Sequence, residues 1–309
     1  MLRSLFAAAL LACSVSVPLF AQEASDEQMA AGLAAAKKIV DSLDYQQGEI
    51  SLRGGLAKLN VPAEFRYLNP KDSDTVLTKI WGNPPGREST LGMLVPAEVG
   101  VLEPTSWGVI ITYDEDGYVK DDEAASIKYN ELLKEMQAAT REANKVRQKE
   151  GYGTVDLVGW AAQPRYDKDA HKMYWAKELK FDGADENTLN YNIRVLGRRG
   201  VLVLNAVSSM GQLAEIEKAA PSILSMVEFQ EGHRYADFKP GTDKVATYGI
   251  AALVTGGVLA KGGFFKVLIG AVLAFKKFAI VGAIALFMGI KSLFGKILGR
   301  RQESTSLRG

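Results

Sequence analysis

The chain has 309 residues, 24% of them charged, with a formal net charge of +1, which excludes wholesale disorder. Ten Lys/Arg and one acid follow Asp243 and Arg3 opens the chain, so the stretch between holds 26 bases against 35 acids, net −9. That stretch lacks the basic footprint a phosphate backbone needs, so no nucleic-acid partner is expected.

Met1-Leu2-Arg3-Ser4 is a short positive start to the apolar run Leu5–Val17, and the small Ala21 precedes Gln22. Residues 1–21 therefore read as a secretory signal peptide cut after Ala21. Leu10-Leu11-Ala12-Cys13 offers a second reading, a lipoprotein site with Cys13 lipidated, and an uncleaved N-terminal anchor is a third. Cys13 is the only cysteine, so a chain cut after Ala21 has no disulfide, thiolate metal site or cysteine nucleophile.

Residues 22–235 carry the folded domain. Met29, Leu33, Ala36, Val40 and Leu43 recur at alternating four- and three-residue spacing and predict a helix over 26–43. Short strands follow at Gly48–Leu52, Ala57–Val61 and Glu64–Leu68, then a helix over Asp74–Trp81 capped by Ser73 and stopped by Gly82-Asn83-Pro84-Pro85-Gly86. Thr90–Val95 and Trp107–Tyr113 read as strands, and Asp114-Glu115-Asp116-Gly117 as a turn. Asp121 is expected to cap a long helix over Asp122–Lys149, with a stripe of Ala125, Tyr129, Leu132, Met136, Ala139, Ala143 and Val146. Such a stripe fits a coiled-coil seam or, more simply, a helix laid across a sheet.

Period-two alternation marks four further strands, Thr154–Ala162, His171–Phe181, Thr188–Leu196 and Val201–Val207, whose hairpin-length links predict an antiparallel meander. In the third, Leu189, Tyr191, Ile193 and Val195 share one face while Asn190, Asn192 and Arg194 take the other. Arg198-Arg199 reads as a solvated turn tip, and Leu213–Val227 as a closing helix. The fold class is α+β: antiparallel sheet with packed helices, α/β/α sandwich-like, with a second boundary conceivable near 151–153.

After a linker over 236–244, residues 245–298 read as a membrane anchor of one or two transmembrane helices, followed by a basic tail over 299–309. Val245–Ala260 has no charge, but Lys261, Lys266, Lys276 and Lys277 interrupt the apolar sequence beyond it. A lysine at the bilayer centre costs about 2.5–3.5 kcal/mol, so these four belong at a membrane interface, in contact with membrane lipids. One crossing followed by a basic surface helix, or two crossings, both satisfy that rule.

Residue patterns that carry chemistry are few. Neither His171 nor His233 belongs to a paired-histidine metal motif, and the folded part has no phosphate loop or nucleophile elbow. No cofactor or metal is expected. Six acids fall within 114–123, and Asp121 and Asp122 could supply carboxylate chemistry, although a turn and a cap account for them. Trp81 and Asn83 beside Pro84-Pro85 form a rigid apolar knuckle that a partner could grip, or simply a buried helix stop.

Several stretches together carry a resemblance: Trp81-Gly82-Asn83-Pro84-Pro85, Leu91-Gly92-Met93-Leu94-Val95-Pro96, Ser106-Trp107-Gly108-Val109, Gly117-Tyr118-Val119-Lys120-Asp121-Asp122, Leu189-Asn190-Tyr191, Arg194-Val195-Leu196-Gly197-Arg198 and Tyr235-Ala236-Asp237-Phe238. The chain resembles the bacterial DUF2167 family of membrane-anchored proteins of unknown function, over nearly all of its length. That resemblance brings no catalytic residues with it. More loosely, the meander and the helix into Ala220–Phe229 look like the end of a PsbP/Mog1-like α/β/α domain, an analogy of fold alone.

The expectation is a protein of the bacterial inner membrane whose domain faces the periplasm and binds an envelope component without catalysis. Two alternatives stand beside it: an envelope enzyme of hydrolase type using the 114–123 carboxylates, and an accessory subunit of a transporter or channel.

Overall fold

A computed structural model describes residues 31–83, 90–149 and 151–255. The chain divides into two units, Met1–Ser42 and Leu43–Gly309. In the first, helix α1 runs over 31–41, and the Ser42 N–H and Oγ both donate to the Ile39 carbonyl to close its last turn. The leader over 1–21 lies outside the described residues.

The second unit contains eleven strands among its described residues: β1 Tyr45–Gln46, β2 Gly48–Leu52, β3 Ala57–Val61, β4 Phe65–Leu68, β5 Gly92–Pro96, β6 Gly108–Asp114, β7 Val155–Asp167, β8 Lys172–Phe181, β9 Thr188–Leu196, β10 Val201–Ser209 and β11 Val227–Phe229. Eight form one antiparallel sheet in the order β1-β4-β5-β6-β10-β9-β8-β7, and a three-stranded sheet has the order β11-β3-β2. The expected meander is present as β7-β8-β9-β10. Pairing of β6 with β10 makes one continuous sheet of strands from before and after 151–153.

One face of the large sheet presents Val109, Ile111, Ile193, Val195, Leu202 and Leu204, which pack with Leu52, Ala57 and Leu59 of the small sheet. Helix α4, Leu213–Met226, adds Ile216, Ala220 and Ile223 to the same core. Trp107 is buried beside Phe65 and donates its indole N–H to Glu215 at 2.8 Å, which ties α4 to the start of β6. The second face presents Met173, Trp175 and Leu196 to helix α3, Tyr129–Lys149, and to the chain on either side of it. Structured elements thus lie on both faces, which is the layered α+β arrangement the alternation predicts.

Several expectations are corrected. The short helix starts earlier than 74: α2, Pro70–Thr75, is capped by Asn69, whose side chain accepts from the Asp72 N–H, and it continues as a π turn over Val76–Ile80. Proline at the first helical position costs no hydrogen bond there. Ser73, the expected cap, is buried and donates to the Leu68 carbonyl instead. The long helix begins at Tyr129, and before it Ala124–Ser126 makes only a 3-10 turn, so Asp121 caps no α-helix.

The stripe of α3 also drifts. Met136 and Ala143 are buried as expected, but Val146 is 43% exposed while Thr140, Asn144 and Arg147 are buried. A straight helix turns past a strict seven-residue repeat, which carries its buried face onto these polar residues. Thr140 donates back to the Met136 carbonyl of its own helix, and the others reach β7 and the chain just before it. Asn144 exchanges two hydrogen bonds with the Val155 backbone, Gln137 donates to the Leu157 and Val158 carbonyls, and Arg147 donates to Gly153. Helix α3 is therefore a brace on β7, and the coiled-coil alternative fails.

Among the described residues no helix is long and apolar enough to cross a membrane. The first residues of the apolar C-terminal run are part of the globule: Ile250, Leu253 and Val254 of α5, Ile250–Thr255, are buried with Val119 and Met136. Residues 256–298, with Lys261, Lys266, Lys276 and Lys277, lie outside the described residues, as does the tail over 299–309.

Candidate functional site

The 114–123 acids do not act as a cluster. Glu115 pairs with Arg53 at 2.9 Å, Asp116 accepts from the Tyr248 hydroxyl at 2.9 Å, and Asp122 is exposed. Asp121 turns inward, with its side chain 13% exposed. Its Oδ2 accepts from the Tyr166 hydroxyl at 2.5 Å, and its Oδ1 accepts from the Tyr235 hydroxyl at 3.0 Å. Tyr235 also donates to the Val119 carbonyl at 2.9 Å.

His171 completes the group. Its Nδ1 lies 3.2 Å from the Tyr166 oxygen and 3.6 Å from Asp121 Oδ2. Because the Tyr166 proton is committed to Asp121, the Tyr166 oxygen is left to accept, which places a proton on His171 Nδ1. The His171 backbone sits at φ 51°, a left-handed conformation that non-glycine residues seldom adopt. Rings stack outward from there: His171 on Tyr235 at 4.1 Å, Tyr235 on Tyr118 at 4.3 Å, and Tyr118 on Phe238 at 3.9 Å.

Three distant segments supply these residues: the chain after β6, the β7–β8 hairpin, and the 235–238 turn. The first and last are stitched together by backbone. Tyr118 forms a parallel bridge with Val245, its N–H donating to the Lys244 carbonyl and its carbonyl accepting from Ala246, both at 2.9 Å. Gly117 makes this approach possible, for at φ +115° a Cβ there would meet the Lys244 carbonyl oxygen at 2.8 Å.

Arg198 locks the same junction and is not a solvated tip. It grips Asp243 with two bonds of 2.6 and 2.9 Å and donates a third to the Gly232 carbonyl. The Asp243 side chain is 2% exposed, and the Arg198 bonds hold its carboxyl down at about 2. The segment read as a linker, 236–244, is thereby fastened to the β9–β10 turn. Arg198→Met should raise hydrogen exchange of the 232–246 amides at least about tenfold, read by mass spectrometry. Unchanged exchange there would show that the ion pair fastens nothing.

Electrostatically the Asp121 site is polarised away from neutrality. Burial alone would raise the Asp121 carboxyl, but the Tyr166 and Tyr235 hydrogen bonds and the nearby His171 carry it below the ordinary range. Burial, with bonding to Asp121, pushes both tyrosines well above theirs. A general acid or base works best with a pKa near the operating pH, and neither carboxylate nor phenol is so placed.

The knuckle residues make their contacts elsewhere. Trp81 is buried, donates to the Val101 carbonyl at 2.9 Å and lies over Gly108, while Asn83 donates its N–H to the Leu77 carbonyl. Pro84 and Pro85 lie outside the described residues. Tyr118, Tyr166, His171 and Tyr235 escape the sequence reading of the site. One signal for them exists: Gly117–Asp122 and Tyr235–Phe238 are two of the segments that carry the family resemblance, and they meet in space. No three or more His, Cys, Asp or Glu side chains are grouped to hold a metal ion among the described residues.

The described residues define the class: an α+β domain built on an eight-stranded antiparallel sheet, with a polar aromatic junction at Asp121. The chain belongs to the family described as a protein of unknown function, DUF2167, whose model matches residues 44–287. No curated protein matches the sequence. Among solved structures, the cyanobacterial PsbP (CyanoP) of Synechocystis sp. PCC 6803 is similar at 12% identity, covering 60% of this chain and 93% of its own, with TM-score 0.32. The Ran-binding protein Mog1p of Saccharomyces cerevisiae is similar at 11% identity, covering 64% and 100%, with TM-score 0.34.

Proposed function

We propose that this is a non-catalytic binding module of the bacterial envelope, held to the inner membrane by its apolar C-terminal sequence and facing the periplasm. The observation that carries the reading is the Asp121 junction. It fastens residues 235–246 where the chain enters its apolar tract, so the domain joins its anchor without a slack tether. Membrane lipids are the partner of that tract, and another envelope protein is the partner of the domain. The hydrolase reading is disfavoured because Asp121 is held ionised by two phenols and the neighbouring acids are dispersed.

Two measurements test this reading. A reporter fused ahead of Val245 should be active only outside the cytoplasm, and the intact chain should remain in membranes after alkaline extraction. Crosslinking from native membranes should then recover one stoichiometric envelope protein. Activity of the reporter in the cytoplasm alone, or hydrolysis of an envelope substrate with no recovered partner, would refute it.

A further inference from the structure

One strip of the large sheet's second face gathers two cations and a row of amide and indole donors. Register places Asn205, Asn192 and Trp175 side by side across β10, β9 and β8, with Asn190 and Lys177 in the row on one side and Arg194 in the row on the other. Their side chains are bonded in one direction. Arg194 Nη2 donates to Asn192 Oδ1 at 3.4 Å, Asn192 Nδ2 to Asn190 Oδ1 at 2.8 Å, and Asn190 Nδ2 to Asn205 Oδ1 at 3.0 Å. Every amide oxygen in the chain is used, so what is left over is donors.

Those donors are the Lys177 ammonium, the Asn205 amide and the Trp175 indole N–H. The last is 0% exposed and has no hydrogen-bond partner among the described residues. The Arg194 guanidinium lies 5.0 Å from the Trp175 ring centre. Neither Lys177 nor Arg194 is in an ion pair among the described residues, and Asp114 acts on Arg194 only from beyond that range. Burial, then the charge of Arg194, pulls Lys177 down to about 8, and burial pulls Arg194 down to about 10. Both side chains nonetheless keep partial contact with solvent. Two crowded cations with only the Asp114 charge to offset them are costly to keep, and orphaned buried donors are rare.

We propose that this strip binds the oxyanion head of a small ligand, a carboxylate or a phosphate, held between Lys177 and Arg194 and completed by the Asn205 and Trp175 N–H groups. It is separate from the Asp121 junction and does not depend on how the domain is tethered.

In the purified full chain, inorganic phosphate and acetate, titrated separately at fixed ionic strength, should report on this site through the Trp175 indole N–H resonance. That resonance is identified by its loss in Trp175→Phe, and it should move saturably with at least one of the two anions. Lys177→Met should weaken that binding about tenfold or more, the loss expected for one charge-assisted hydrogen bond. Its melting temperature should equal or exceed that of the parent, because a buried charge crowded by Arg194 has been removed. A resonance that responds to neither anion, an equal response in Lys177→Met, or a Lys177→Met chain that does not fold would each overturn the proposal, the last by showing that the lysine serves structure.

Discussion

Asp121→Ala should cost the domain about 3 kcal/mol, since two hydrogen bonds to an ionised acceptor are lost at about 1.5–3 kcal/mol each and partly recovered elsewhere. The recovery is specific. Tyr235 still donates to the Val119 carbonyl, and Tyr166 can donate to His171 Nδ1 once the imidazole proton moves to the other ring nitrogen, so neither hydroxyl is wholly stranded. For a domain of this size the melting temperature should fall by roughly 6–12 °C. Asp121→Asn keeps one acceptor oxygen but turns an amide NH2 toward a phenol, so about half the loss is expected. A double-mutant cycle with Tyr166→Phe should show coupling, and additive losses would mean that the 2.5 Å contact contributes nothing.

The same site fixes an acid limit. A carboxyl held below its unfolded value stabilises the fold above that value, near 3.9, and loses the contribution as pH falls through the folded value. Asp121 and Asp243 are both lowered, so the junction should weaken below about pH 4. Asp121→Ala should flatten that part of the stability profile.

Gly200→Ala should be as damaging, although Gly200 lies at the β9–β10 turn and its backbone is not left-handed. A Cβ there would lie 2.1 Å from the Asp114 carbonyl oxygen and 2.9 Å from the Tyr113 ring. The ring can tilt, but the carbonyl cannot, because Asp114 is paired with Val201 at the end of the β6–β10 ladder. Relief requires the ladder to part at its end, and overpacking of this kind costs about 1–3 kcal/mol, with the upper end expected against backbone. Chemical denaturation should show the midpoint falling with an unchanged slope. A midpoint equal to the parent's would mean that the turn is free to shift.

Most of the architecture was legible because it is local. Strands β2, β3, β8, β9 and β10 end within two residues of where alternation and turn residues place them. The misses have a common cause. Asp121 looked like a cap because carboxylates before helices usually are, and nothing within ten residues reveals that its partners are Tyr166 and Tyr235. Asn190, Asn192 and Arg194 read as the polar side of a half-covered strand, yet Asn190 and Asn192 are buried. Sequence alternation separates the two faces of a strand but does not say whether the second is covered. Arg198 looked solvated because its partner, Asp243, is 45 residues away.

The treatment of the large sheet's margins bears on how anything can dock with it. At one margin β7 has Pro164 in its later half, three register irregularities along its pairing with β8, and carbonyls at Val155, Leu157 and Val158 already taken by α3 amides. At the other, β1 is two residues long. A flat, unpaired margin invites another polypeptide to extend the ladder, and these devices remove the invitation. Recognition by strand addition is thereby disfavoured at both margins, which shifts the burden of recognition onto side chains.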